Sequence, residues 1–244
     1  MFRFSILSLV GLICSAPFIQ QAGSTESTPP TSASPASVDS SKAVVSMEEP
    51  MSGDHWTYEI RDDKTGAVRA NSTEVITDVT PTDTSMRIRN VRPDKSYGER
   101  FNIFDRSWNL IRDPCCRFQP HDGLNGIQMP LAVGKTWAFE SSERYVATPI
   151  VWKRSSTSEV VAQETVTTKA GTFETFKIVT ISSSRTVSKP VRTHEITITH
   201  WYAPAINHWV KRSYVARNDD GRKEDRATLE LIDYGRANRA GFAP

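Results

Sequence analysis

Cys115 and Cys116 are adjacent, and adjacency narrows what two thiols can do. In an oxidising compartment they can close a strained vicinal disulfide or bond to another chain. Otherwise they are inert thiols, or serve a redox or metal role. No Cys-x-x-Cys or Cys/His spacing of a zinc site accompanies them. The histidines are His55, His121, His194, His200 and His208. On one strand His194 and His200 share a face but lie roughly 20 Å apart, too far to hold one ion. His200 and His208 flank a hairpin and could pair across it. However, His208 has the opposite parity to Trp209, and no carboxylate completes a site. Partly exposed strand histidines are the expectation, and metal binding is not. Ser141-Ser142 and Ser182 to Ser184 read as strand ends, with no Gly-x-Ser-x-Gly elbow among them. The glycines sit singly at turns, so no loop cradles phosphate. No carboxylate pair stands at a spacing that identifies acid and base. No catalytic residue, cofactor or metal is therefore expected. A hydrolase built on His121, with Asp122 beside it, is the catalytic alternative.

The elements that would position these groups are strands. Gly53-Asp54-His55-Trp56-Thr57-Tyr58-Glu59 reappears as Gly134-Lys135-Thr136-Trp137-Ala138-Phe139-Glu140, with the two Trp positions 137 − 56 = 81 residues apart. A second shared triplet follows each copy, Thr73-Glu74-Val75 and Ser158-Glu159-Val160. A period this long suits two copies of a multi-strand module rather than a solenoid unit. Strand signals recur along the chain, separated by turns such as Asp62 to Gly66, Pro93-Asp94, Lys169 to Gly171 and Ala203 to Asn207. The fold class expected is all-β: an antiparallel meander of about eleven or twelve strands forming an open or half barrel from two repeated modules. The modules run over 51–112 and 132–235 within one β domain, 51–235. Residues 113–131, rich in Pro and Gly, read as an irregular connection. Trp56, Tyr58, Trp137, Phe139 and Trp201 are either core or the lining of a concave apolar groove.

The ends and the charge balance bound location and partners. One early Arg3, the apolar run Ile6 to Ile13 and the small residues after it form an export signal over 1–22, with cleavage after Ala16 or Ala22. That run is too short to span a membrane. Cys14 raises a lipoprotein alternative, although Ile13 is bulky for the residue before an acylated Cys. Residues 23–50, dominated at first by Ser, Thr, Pro and Ala, read as a disordered tether, and 236–244 as a tail. Lys and Arg total 30 against 28 Asp and Glu, with signs interleaved, so nucleic acid is not an expected partner.

Three segments together resemble an uncharacterised family of exported bacterial β-rich proteins: Pro130-Leu131 with Val133-Gly134-Lys135 and Trp137; Ala170-Gly171-Thr172-Phe173; and Trp201-Tyr202-Ala203-Pro204 leading to Val210-Lys211. Trp209 departs from the small residue usual there. The family is in turn distantly similar to half-barrel carriers of the outer-membrane lipoprotein-localisation type. The resemblance implies a periplasmic or envelope location and carries over no catalytic residues. The function expected is non-catalytic: a curved sheet that binds an apolar or amphipathic, lipid-like ligand or a partner envelope protein. The alternative is a cell-surface assembly module that binds protein through a sheet edge.

Overall fold

A computed structural model describes residues 46–119, 126–218 and 224–236. Twelve strands follow one another: β1 (His55–Asp62), β2 (Val68–Val79), β3 (Asp83–Val91), β4 (Tyr97–Asp105), β5 (Leu110–Arg112), β6 (Cys116–Gln119), β7 (Thr136–Tyr145), β8 (Val151–Thr168), β9 (Gly171–Thr186), β10 (Thr193–Ala203), β11 (His208–Asn218) and β12 (Glu224–Gly235). Among the described residues the one helical element is a 3-10 turn at Pro204–Ile206. Each strand pairs antiparallel with its sequence neighbours, and β1 pairs with β12 from His55↔Gly235 to Asp62↔Ala227. The meander is therefore a closed barrel, which corrects the open or half barrel expected. Alternation within a strand sets which face is wet, but it does not reveal that the first strand will register against the last.

Antiparallel order puts all turns at two ends. The base holds the start of β1 and the end of β2, and the mouth holds the turns at 62–68, 91–97, 145–151 and 186–193. The two heptads begin matching hairpins at the base. The Gly53 N–H donates to the Ile76 carbonyl at 2.8 Å, and the Ile76 N–H returns to Asp54 O at 2.9 Å. Gly134 does the same with Val160 at 2.8 Å, and Val160 with Lys135 O at 2.9 Å. Both glycines have positive φ, 92° and 86°, a region a Cβ would strain. Each hairpin's second strand then bulges just past the contact, between Ile76 and Asp78 and between Val160 and Ala162. Bulges bend strands, and the long β8–β9 hairpin turns over the base, where Phe173 meets Tyr234 edge to face at 5.5 Å.

The core is concentrated at the base, where Trp56, Met47, Ile206, Ile178 and Leu231 are almost wholly buried. Burying one indole, roughly 200 Å² at about 25 cal/mol per Å², contributes about 5 kcal/mol before ordering entropy is subtracted. Residues 46–50 belong to this base rather than to a tether. The Met47 N–H donates to Ala205 O at 2.8 Å, and Asn207 Nδ2 donates to Glu48 O at 2.9 Å. Met47, set between Ser46 and Glu48-Glu49, is too weak a signal to mark that boundary in the sequence. Arg236 is likewise tied down, donating to Glu49 O at 3.0 Å. The tether and tail residues beyond 46 and 236 lie outside the described residues, as does the export signal.

Between β4 and β7 the barrel is thin. β5 and β6 register with each other only at Arg112↔Arg117. β6 falls inside the stretch 113–131 expected to be irregular; Cys116 and Phe118 point inward, a period of two too short to stand out among the surrounding prolines.

Candidate functional site

The interior is graded from base to mouth. At the base the His208 ring is walled in by aromatics. Trp56 stacks on it with centroids 4.3 Å apart and planes 17° apart, Trp108 meets it edge-on at 4.8 Å, and Trp209 lies 3.8 Å away. Trp108 Nε1 donates to Asn207 Oδ1 at 3.0 Å, fixing the indole against the β10–β11 turn. His208 follows Asn207, whose φ is 46°, so the strand starts out of step. That corrects the parity argument: His208 and Trp209 are both buried.

One layer up sits a group of ionisable side chains. The Tyr58 hydroxyl is 2.9 Å from the Trp209 carbonyl and 2.6 Å from His208 Nδ1. A carbonyl only accepts, so the phenol donates to it, and His208 must donate from Nδ1 to the phenol oxygen. Nε2 is then the bare nitrogen, 3.7 Å from Glu74 Oε2. That is too long for a hydrogen bond, and burial drives the His208 pKa well below the imidazole range, so the contact is not an ion pair. Burial also pushes the Tyr58 phenol up, aided by Glu74, and lifts the Glu74 carboxyl to about 7 against the pull of Arg212 and Arg100. The carboxylate that sequence reasoning failed to find is thus Glu74, delivered from β2 across the barrel. Groups facing it are Tyr58 on β1, Arg100 on β4, and His208 and Arg212 on β11, with His200 on β10 acting on His208. β3 turns Met86 and Ile88 inward here.

Arg212 is the cation of this layer. Its guanidinium lies 5.6 Å over the Trp209 ring, and among the described residues no carboxylate is within ion-pair reach. Its Nε is buried with no hydrogen-bond partner, as is His200 Nε2. His200 stacks on the other side of the aromatic group, 5.3 Å from Trp209, and its pKa is depressed by burial and then by Arg212. Both residues sit deep in the barrel, yet each remains only half-buried, as do the inward Ile196 and Ile198 on β10. Solvent therefore reaches the lumen along β10 and β11.

Toward the mouth the lining is hydroxyl and charge. Ser156 and Ser182 share a hydrogen bond of 2.7 Å, and Ser158 and Thr180 one of 2.8 Å. Ser182 on β9 and Ser141 on β7 lie within their strands and inward, not at strand ends as expected. Arg154 pairs with Glu143 at 2.9 Å, and with Ser184, Trp152 and His194 they line a cleft of about 410 Å³ at the mouth. The outer face of the same strands carries Lys153, Glu159 and Arg185 in the open, charges that an apolar belt around a membrane barrel would exclude.

Of the expected groove residues, Trp56, Tyr58 and Phe139 are buried and point inward, and Trp137 shares that face but is half-buried. Trp201 is not with them. It points outward between Lys177 and Lys211, with ammonium groups 5.1 and 5.3 Å from its ring, and its indole N–H donates to Glu164. Trp201 has the opposite parity to Ile198, His200 and Tyr202 on β10, so regular alternation turns it outward; the extra residue of the nearby bulge, Val210, belongs to β11. The Cys115 and Cys116 sulfurs are 2.08 Å apart in a vicinal disulfide, and both cysteine N–H groups donate to Asp113 Oδ1, at 2.9 and 2.8 Å. Asp113 and the two sulfurs cluster within 4.8 Å, but sulfurs bonded to each other are not thiolate ligands. His121 and Asp122 lie outside the described residues.

The profile of a family described as DUF3108-like matches residues 154–219, about a quarter of the chain, running from β8 into β11. No curated protein matches. Solved structures that do include a candidate lipoprotein of Parabacteroides distasonis, with 13% identity over 78% of this chain and 99% of that one, at a TM-score of 0.49. A candidate exported protein with a YmcC-like fold from Bacteroides fragilis matches at 14% identity, over 80% and 100% of the two chains, with a TM-score of 0.38. The hypothetical lipoprotein YmcC of Escherichia coli matches at 12%, over 78% and 85%, with a TM-score of 0.41. Likeness at this level carries no argument about what the chain does.

Proposed function

We propose that this chain is a non-catalytic, exported cell-envelope protein that holds an amphipathic, lipid-like ligand inside its barrel. The observation that carries the reading is the graded lumen: an aromatic floor, a polar layer half-reached by solvent, and a hydroxyl-lined mouth. Such a gradient suits a molecule with one apolar and one polar end. Catalysis is not favoured, because the Tyr58–His208 pair is fully buried among aromatics and presents no face to a substrate. Export rests on the N-terminal signal of the sequence. Native mass spectrometry of protein purified from its own envelope should show a lipid-sized adduct and a shortened N-terminus. A bare protein that also leaves the neutral probe N-phenyl-1-naphthylamine dark would sink the lumen reading.

A second reading keeps one observation. Closure removes most free sheet edge, yet β4 registers with β5 only at Ile103 and Phe104. Residues 97–102 thus expose an edge carrying Tyr97 and Phe101, 62% and 58% accessible. A peptide strand added there would be the edge-bound assembly partner. Phe101→Pro, which cannot donate to an added strand, should abolish pull-down of that partner while leaving probe uptake intact.

A further inference from the structure

Resting on the lumen reading, the structure assigns the ligand a polar end: we infer that it is anionic, a carboxylate or a phosphate monoester, and that Arg212 receives it with His200 beside it. Three observations converge. Arg212 is a deep cation with no ion-pair partner among the described residues, resting on Trp209 with its Nε unpartnered. An arginine held this way costs the fold desolvation that Glu74, beyond ion-pair distance, returns only in part, which is how a binding charge differs from a structural one. Second, the balance of the layer is positive: Arg212 and Arg100 face the single carboxyl of Glu74, which is itself half-neutral near pH 7. Third, the position is at the boundary of the gradient. Below Arg212 lie the rings of Trp209, Trp108 and Trp56, and beside it solvent reaches the lumen past Ile198 and His200. An acyl chain of an amphiphile can run over the aromatic floor while its head meets the guanidinium. The planar fork of an arginine suits either anion, carboxylate or phosphate, in a two-point contact. His200 stays neutral, so it adds a hydrogen bond rather than a second charge.

The test compares 11-(dansylamino)undecanoic acid with the matching alcohol by fluorescence titration. The wild-type chain should bind the acid about tenfold tighter than the alcohol, the scale of one charge-assisted hydrogen bond. Arg212→Met should erase that preference and leave the alcohol within about threefold. Should Arg212→Met fail to fold, Glu74→Gln serves instead: removing the opposing carboxylate should tighten the acid severalfold near pH 8 and leave the alcohol unchanged. Competition by oleic acid against 1-oleoyl lysophosphatidic acid tells carboxylate from phosphate, and displacement by either one supports an anionic head. Equal binding of acid and alcohol by the wild type, or a preference that survives Arg212→Met, overturns the anionic-head inference even if N-phenyl-1-naphthylamine binds. If that neutral probe and both dansyl probes fail together, the lumen reading has fallen first.

Discussion

Glu74→Gln isolates one buried carboxyl, and its effect on stability can be worked from the structure. Glu74 is 6% accessible, and its pKa is lifted from 4.5 to about 7 chiefly by burial. Between those values the folded chain still holds a proton that the unfolded chain has released. Stability supplied by that proton is fully present below about pH 4.5 and drains away as pH rises through 7. The gap of about 2.5 at about 1.4 kcal/mol per unit makes the loss about 3 kcal/mol across the window. An amide in place of the carboxyl cannot titrate, so the variant lacks this slope. Other groups, including His200, His208 and Asp54, titrate in both proteins and largely cancel in the difference. Urea melts of both proteins at about pH 4 and about pH 8.5 give the comparison. The variant should gain about 3 kcal/mol on the wild type between the two conditions. A difference that stays within about 0.5 kcal/mol at both pH values would show that Glu74 ionises freely and that the polar layer is wetter than its burial implies.

Trp56→Ala should cost about 3–5 kcal/mol in urea melts, and Trp137→Ala, half-buried at the matching position, about 1–2; equal losses would mean both indoles are equally enclosed. Reducing the Cys115–Cys116 bond should lower stability by less than about 1 kcal/mol, because a bridge between neighbours closes almost no loop. A melting temperature that falls by more than about 4 °C on adding a phosphine reductant would contradict this.

Local order is legible where a residue's neighbours in sequence decide its environment. Trp56 and Tyr58 alternate because β1 is wet on one face and buried on the other, and Gly53 and Gly134 mark the same left-handed corner. What escapes is non-local or off-register. His208 and Tyr58 touch across 150 residues of chain, and Glu74 reaches them from a third strand, so no spacing could have joined them. Residue type misplaces Trp201: an indole reads as core, whereas regular alternation on β10 turns it outward, opposite Tyr202. Ser182 and Ser184 read as strand ends because hydroxyls inside a wet lumen resemble hydroxyls on a surface.

The barrel's staves are of very unequal length. At roughly 3.3 Å per residue, β8 with its 18 residues runs roughly 60 Å, whereas β5 with 3 and β6 with 4 rise only roughly 10–13 Å. The extra length of β8 lies at the base, where it turns over with β9, and the barrel wall is narrowest at β5 and β6, whose connection holds the Cys115–Cys116 pair. On the proposed lumen reading, a ligand longer than the interior would meet the least paired backbone between β4 and β7.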